Sequence, residues 1–227
     1  MRYAALAASL LALFPVGISA QAVLDQGSFS IYRGETRVGR EEFTIRREAG
    51  AGGGTIVAYA TLTYDGQRIT PALRTADNGR PVAYQVEVAE GNEVTERLRG
   101  EIGMGRFSGR VRTPRGESGK EYVVSDGALV LDDDVFHQYY FLAHGGGERS
   151  GSVPVVIPRR NVQVSMRVES LGADQVTVGG VALDARHLVL RGPGGEARHV
   201  WVDAQGRLLK VTLEQRGLVA IRDRPPG

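Results

Sequence analysis

The sequence predicts a mainly β fold: a curved antiparallel sheet or open half-barrel of about a dozen strands with one short helix, following an N-terminal signal peptide. Three observations carry this expectation. Apolar and polar residues alternate without a break from Val162 to Glu169, and the pattern returns over Leu209 to Glu214 and Tyr84 to Val88. A period of two puts one buried and one wet face on each strand, which antiparallel sheets tolerate and buried parallel sheets do not. Asp65-Gly66, Asn78-Gly79, Asp126-Gly127 and Gln205-Gly206 each separate β-rich runs, and such pairs supply the positive φ that tight hairpin turns need. Glycine, 31 of 227 residues, is about twice its usual frequency, and it falls mostly between those runs, where turns are expected.

The chain opens on Met1-Arg2-Tyr3, an apolar run from Ala4 to Val16, and the small-residue stretch Ile18-Ser19-Ala20-Gln21-Ala22. A basic start, an apolar core of about 13 residues and an A-x-A-like end are the parts of a secretory signal. Cleavage after Ala20 and cleavage after Ala22 fit equally well. Spanning a bilayer takes about 20 apolar residues, and Pro15 and Gly17 interrupt this run early. No later segment reaches that length, and no cysteine follows the run to accept a lipid. The expectation is an exported soluble chain, periplasmic or extracellular, with no transmembrane anchor. Residues 1–22 are read as the signal, 23–222 as one antiparallel β domain without an internal linker, and 223–227 as a flexible tail ending Arg224-Pro225-Pro226-Gly227.

In the first hairpin Phe29 and Ile31 share a face, whereas Val38 has opposite parity to Phe43 and Ile45 on the return strand. An extra residue must intervene, and Gly39 is the expected place for a β-bulge that curls the sheet. One segment breaks the β pattern. Asp132, Asp133 and Asp134 precede Phe136, Tyr139, Tyr140, Phe141 and Ala143, and His144 and glycines follow. Acidic residues at the start and glycines at the end predict a helix of about ten residues between Asp132 and Gly147.

Composition excludes several chemistries. The absence of cysteine removes disulfides, thiol nucleophiles and thiolate metal sites together. With 28 basic and 26 acidic residues interspersed along the strands, the chain lacks the one-sided basic patch of a nucleic-acid binder. His144-Gly145-Gly146-Gly147 matches the oxyanion-hole element of lipases, but no G-x-S-x-G nucleophile elbow accompanies it, so it reads as a helix stop. Gly103-Met104-Gly105-Arg106-Phe107-Ser108-Gly109 spaces its third glycine one residue too far for a dinucleotide loop, and no helix start follows it.

Four histidines remain. His137 and His144 stand seven apart, too far to share an ion on one helix, and Asp133 with His137 reads as an end-capping aspartate and a solvent-facing histidine. Closing the Ala185–Arg191 and Glu196–Val202 hairpin symmetrically pairs His187 with Val200 and Leu188 with His199, sending the two histidines to opposite faces. No metal, cofactor or catalytic residue is therefore expected, although a carboxylate pair of the glycosidase kind would leave no sequence signature.

The hairpin Phe29-Ser30-Ile31-Tyr32-Arg33-Gly34 through Val38-Gly39-Arg40, together with Val200-Trp201-Val202-Asp203-Ala204-Gln205-Gly206-Arg207-Leu208-Leu209-Lys210-Val211, resembles uncharacterised exported bacterial β proteins. Those are similar in layout to the half-barrels of periplasmic lipoprotein carriers, in which a bent sheet wraps a helix and encloses an apolar ligand. The resemblance implies a non-enzymatic binding or carrier domain for an apolar or amphipathic ligand such as a lipid. Phe136, Tyr139, Tyr140 and Phe141 would be its site, because these rings surround more than half of a helix. Either protein buries that helix on all sides, or one flank faces a cavity of at least about 300 Å³. The alternatives are an envelope-assembly protein that pairs a partner through strand edges and a hydrolase of unrecognised type.

Overall fold

The computed structural model describes residues 22–49, 54–144 and 150–227. The predicted signal, save Ala22, and the glycines of the His-Gly-Gly-Gly motif lie outside them. Eight strands follow one another as an antiparallel meander: β1 (Ala22–Arg33), β2 (Thr36–Glu48), β3 (Thr55–Tyr64), β4 (Gln67–Ala76), β5 (Pro81–Glu90), β6 (Glu93–Gly103), β7 (Arg106–Thr113) and β8 (Gly116–Val123). The chain then crosses to the opposite edge, where the short β9 (Leu129–Val130) runs parallel to β10 (Gly151–Ile157). From there β11 (Val162–Val178), β12 (Val181–Arg191), β13 (Ala197–Val202), β14 (Leu208–Leu213) and β15 (Leu218–Arg222) wind back to the middle.

There β15 pairs with β1, Phe29 opposite Arg222 through Arg33 opposite Leu218. The first and last strands thus join two meanders into one 15-stranded sheet with β8 and β9 at its ends. So wide a sheet must curl. Side chains rather than a ladder bring β8 toward the turn after β10: Lys120 Nζ donates to the carbonyls of Pro158 and Arg159 at 3.5 and 3.1 Å. Beside them the Ser125 N–H donates to Gln163 Oε1 at 2.8 Å. The sheet remains open.

Turn chemistry accounts for much of this. Asp65 and Gly66 both have positive φ, 47° and 79°, as a two-residue hairpin loop requires. The expected bulge is present, one residue before Gly39: Ile31 faces Gly39 while Tyr32 faces Arg37, leaving Val38 as the extra residue. Gly39 is also needed for space, since a Cβ there would lie 2.4 Å from the Thr63 carbonyl oxygen. Asp126-Gly127 is not a hairpin turn; it lies in the crossing from β8 to β9. Gly100 and Gly109 stand opposite each other on β6 and β7, and the Phe107 ring, stacked on Tyr122, fills the space their missing side chains leave.

Inward-facing residues of both meanders form one continuous core, including Phe29, Ile45, Leu62, Leu73, Leu98, Val155, Val200 and Val211. The segment between β9 and β10 fills its concavity. Its helical part is seven residues long, a 3₁₀ turn over His137–Tyr139 continuing into α1 (Tyr140–Ala143), and is shorter than the sequence predicts. A second, small cluster lies on the outer face. Past a register shift at Ser170 to Gly172, the β11–β12 hairpin outruns its neighbours and lays Val176, Val178 and Ala185 against Trp201 and Leu209.

Candidate functional site

The four rings expected to form the site are core residues. Phe136, Tyr139 and Phe141 are each 1 % exposed and Tyr140 is 3 % exposed. Tyr140 meets Phe141 edge-on and stacks on His144, with ring centroids 5.5 and 3.8 Å apart. The buried Arg198 donates to Tyr139 Oη at 3.0 Å. Burial pushes the Tyr140 hydroxyl up to about 12 and raises Tyr139 as well. The pocket beside Tyr139 holds about 40 Å³, room for a water and not for a lipid. Of the two alternatives the sequence leaves for this helix, the structure shows burial by protein.

The helix start also differs from expectation. None of Asp132, Asp133 or Asp134 caps it. Glu41, which points inward from β2 and is fully buried, accepts the N–H groups of Phe136 and His137 at 2.8 and 3.0 Å and His137 Nδ1 at 2.5 Å. The three aspartates are engaged elsewhere. Asp132 accepts from Tyr84 Oη at 2.6 Å and Arg159 Nε at 2.8 Å, Asp133 pairs with Arg160, and Asp134 pairs with Arg216. His137 is therefore buried rather than solvent-facing, and its Nε2 has no partner among the described residues. Glu41 and His137 are both wholly enclosed among the described residues.

His187 and His199 also depart from the sequence reading. Arg191 pairs with Ala197 instead of Glu196, so His187 faces Trp201 and His199 faces Val189. The 3₁₀ turn at Pro193–Gly195 takes up the odd residue, and a one-residue slip moves side chains between faces. Both histidines now lie on the outer face, His187 Nε2 2.8 Å from His199 Nδ1. Among the described residues no group of three or more His, Asp or Glu side chains is placed to hold a metal ion.

One concavity of about 1110 Å³ lies beside β1, β2 and the C-terminal residues. A second, a groove of about 1210 Å³, runs over the outer face of β3 to β8. Val57, Ala72 and Ala83, all half-buried, form its apolar wall, and arginines form its floor. Arg97 stands directly opposite Arg112, and Arg99 directly opposite Arg110. Glu87 pairs with Arg97, and Glu117 pairs with both Arg110 and Arg112. The two arginines on Glu117 draw its carboxyl below the usual range. Arg99 and Arg74, both exposed, have no ion-pair partner among the described residues. Directly opposed like charges cost stability, and the groove as a whole sets Glu48, Glu101, Glu117 and Glu121 against Lys120 and five guanidiniums, an excess of two positive charges. The signal for this patch was present as two R-x-R pairs, Arg97/Arg99 and Arg110/Arg112, flanking the Met104-Gly105 turn symmetrically. Counting charges along the chain hides it; folding the hairpin reveals it.

The fold has a solved counterpart. The chain is similar to a β-barrel-like protein of the domain of unknown function DUF1849 from Brucella abortus, with a TM-score of 0.57 and 9 % sequence identity over 90 % of this chain and 98 % of that one. At that identity the likeness shows the architecture, a barrel-like β domain, and no activity. No family model and no curated protein matches the sequence. No helix among the described residues is long and apolar enough to cross a membrane.

Proposed function

We propose that this protein is a non-catalytic binding domain that holds an anionic amphiphile on its outer face, instead of carrying an apolar guest inside. The observation that supports this is the arginine-rich floor with its opposed pairs, Arg97 with Arg112 and Arg99 with Arg110, beside the apolar wall of Val57, Ala72 and Ala83. A phosphate or carboxylate head relieves the repulsion between opposed guanidiniums and accepts their forked hydrogen bonds, while an alkyl chain covers the wall. The packed helix leaves no comparable space around Phe136 to Phe141. Assembly through the free edge of β8 is the second reading, and the charges of Glu117, Lys120 and Glu121 along that strand weigh against it, because such residues keep edges from pairing.

Calorimetric titration with dodecyl phosphate below its micelle concentration tests the proposal. Saturable binding is expected, weakening with added salt as screened charge interactions do and lost in Arg99→Glu/Arg110→Glu. Equal binding of dodecyl maltoside, or undiminished binding by the double variant, would overturn it.

A further inference from the structure

The outer face carries a second arrangement, independent of the groove. Asp174 Oδ2, His187, His199 and Glu214 form a continuous line: 3.7 Å from Asp174 to His187 Nδ1, 2.8 Å from His187 Nε2 to His199 Nδ1, and 2.9 Å from His199 Nε2 to Glu214 Oε1. Both histidine side chains are 16 % exposed. Each element packed around the pair contributes a group that faces it. Asp174 comes from β11, His199 and Trp201 from β13, Lys210 from β14, and Glu214 from the turn that follows. Along β12 itself Arg186 has the opposite strand parity, and the nearest charge on the histidine's own face, Arg191, pairs with Glu169. Trp201 ties these parts together: its ring stacks on His187 at 4.1 Å, its Nε1 donates to Asp174 Oδ2 at 2.7 Å, and Lys210 Nζ sits 4.5 Å from its centroid.

We propose that the His187–His199 hydrogen bond is a pH-sensitive latch that holds the β11–β12 ribbon, residues 172–185, over Trp201, and that a second proton on the pair opens it. The proton count follows from the geometry. With both rings neutral, His187 Nε2–H donates to His199 Nδ1 and His199 Nε2–H donates to Glu214. One added proton enters at His187 Nδ1, facing Asp174, and leaves every contact intact. Another proton can enter only at His199 Nδ1, where two N–H groups would then point at each other across 2.8 Å, with Lys210 adding a third positive charge nearby.

Burial first, then His199, lower the His187 pKa below its ordinary value against the opposing pull of Asp174, and Lys210 lowers it further. A histidine depressed in the docked form takes its proton more readily in the released form. Docking is therefore strongest above about pH 6.5 and weakens as pH falls below it. Release uncovers Val176, Val178, Trp201 and Leu209, an apolar surface present only in acid.

Trp201 is the single tryptophan of the chain, so its emission reports the latch directly. Between pH 7.5 and 5 the wild-type emission maximum should move to the red, and the uncharged dye Nile red should be taken up, while the far-ultraviolet circular dichroism of the sheet persists. His199→Gln keeps an acceptor for His187 and removes the site of the second proton, so its red shift across that range should be much smaller than that of the wild type. If this variant fails to fold, His187→Gln makes the same comparison. A wild-type maximum that stays fixed to pH 5, or an equal red shift in the folded variant, would overturn the latch.

Discussion

Replacing Glu41 by alanine tests how the concave face holds its helical insert. The carboxylate accepts three hydrogen bonds, from two backbone N–H groups and one imidazole nitrogen, at 2.8, 3.0 and 2.5 Å, and it is fully buried. A hydrogen bond to a charged group contributes about 1.5–3 kcal/mol, and the three do not add independently because they share one acceptor. The better guide is the removal of one member of a buried polar pair, which costs about 3–5 kcal/mol because the partners stay buried and unpaired. Against a total stability of about 5–15 kcal/mol for a domain, that is a large fraction. Urea unfolding followed by circular dichroism should show the midpoint falling by about a fifth or more at unchanged slope. Glu41→Gln retains one acceptor oxygen and should lose less. A Glu41→Ala cost below about 1 kcal/mol at unchanged slope would refute the argument that this carboxylate caps and anchors the segment.

Tyr140→Asp places a charge where an aromatic ring is 3 % exposed and should destabilise the fold by several kcal/mol; an unfolding midpoint equal to wild type would show the ring to be dispensable. Asp134 is raised in pKa chiefly by burial, against the pull of Arg216 and Arg159. A carboxyl raised in the folded state costs stability when ionised, and the cost is relieved as pH falls through its folded pKa. Asp134→Asn should therefore raise the unfolding midpoint at pH 7, by an amount that vanishes near pH 3. Asparagine also suits the backbone there, where φ is 61°. A lower midpoint at pH 7 would mean that the pair with Arg216 outweighs burial.

Local chemistry made most of the fold legible. Alternation at Val162 to Glu169 and the parity break at Val38 each specify a backbone shape within a few residues, and both appear as expected. What failed depended on distant partners. Asp132 to Asp134 carry the letters of a helix start, but the cap comes from Glu41, about a hundred residues earlier, and no local pattern announces it. The His187–His199 hairpin failed by one residue, because a 3₁₀ turn rather than a symmetric loop closes it, and one residue decides the face. The aromatic segment was correctly located, and its rings, placed by the sequence beside either protein or a guest, lie against protein. The arginine floor is not legible along the chain, because its residues alternate with Leu98, Gly100 and Val111 and become neighbours only across the β6–β7 hairpin.

The central claim, that ligand binds outside the barrel on that floor, is tested most directly by mapping backbone amide shifts of ¹⁵N-labelled protein during titration with dodecyl phosphate. Perturbations should concentrate at Arg97 to Glu101 and Ser108 to Arg112, with Phe136 to Phe141 unmoved. Shifts centred on Phe136 to Phe141 would contradict it and restore the interior as the binding site.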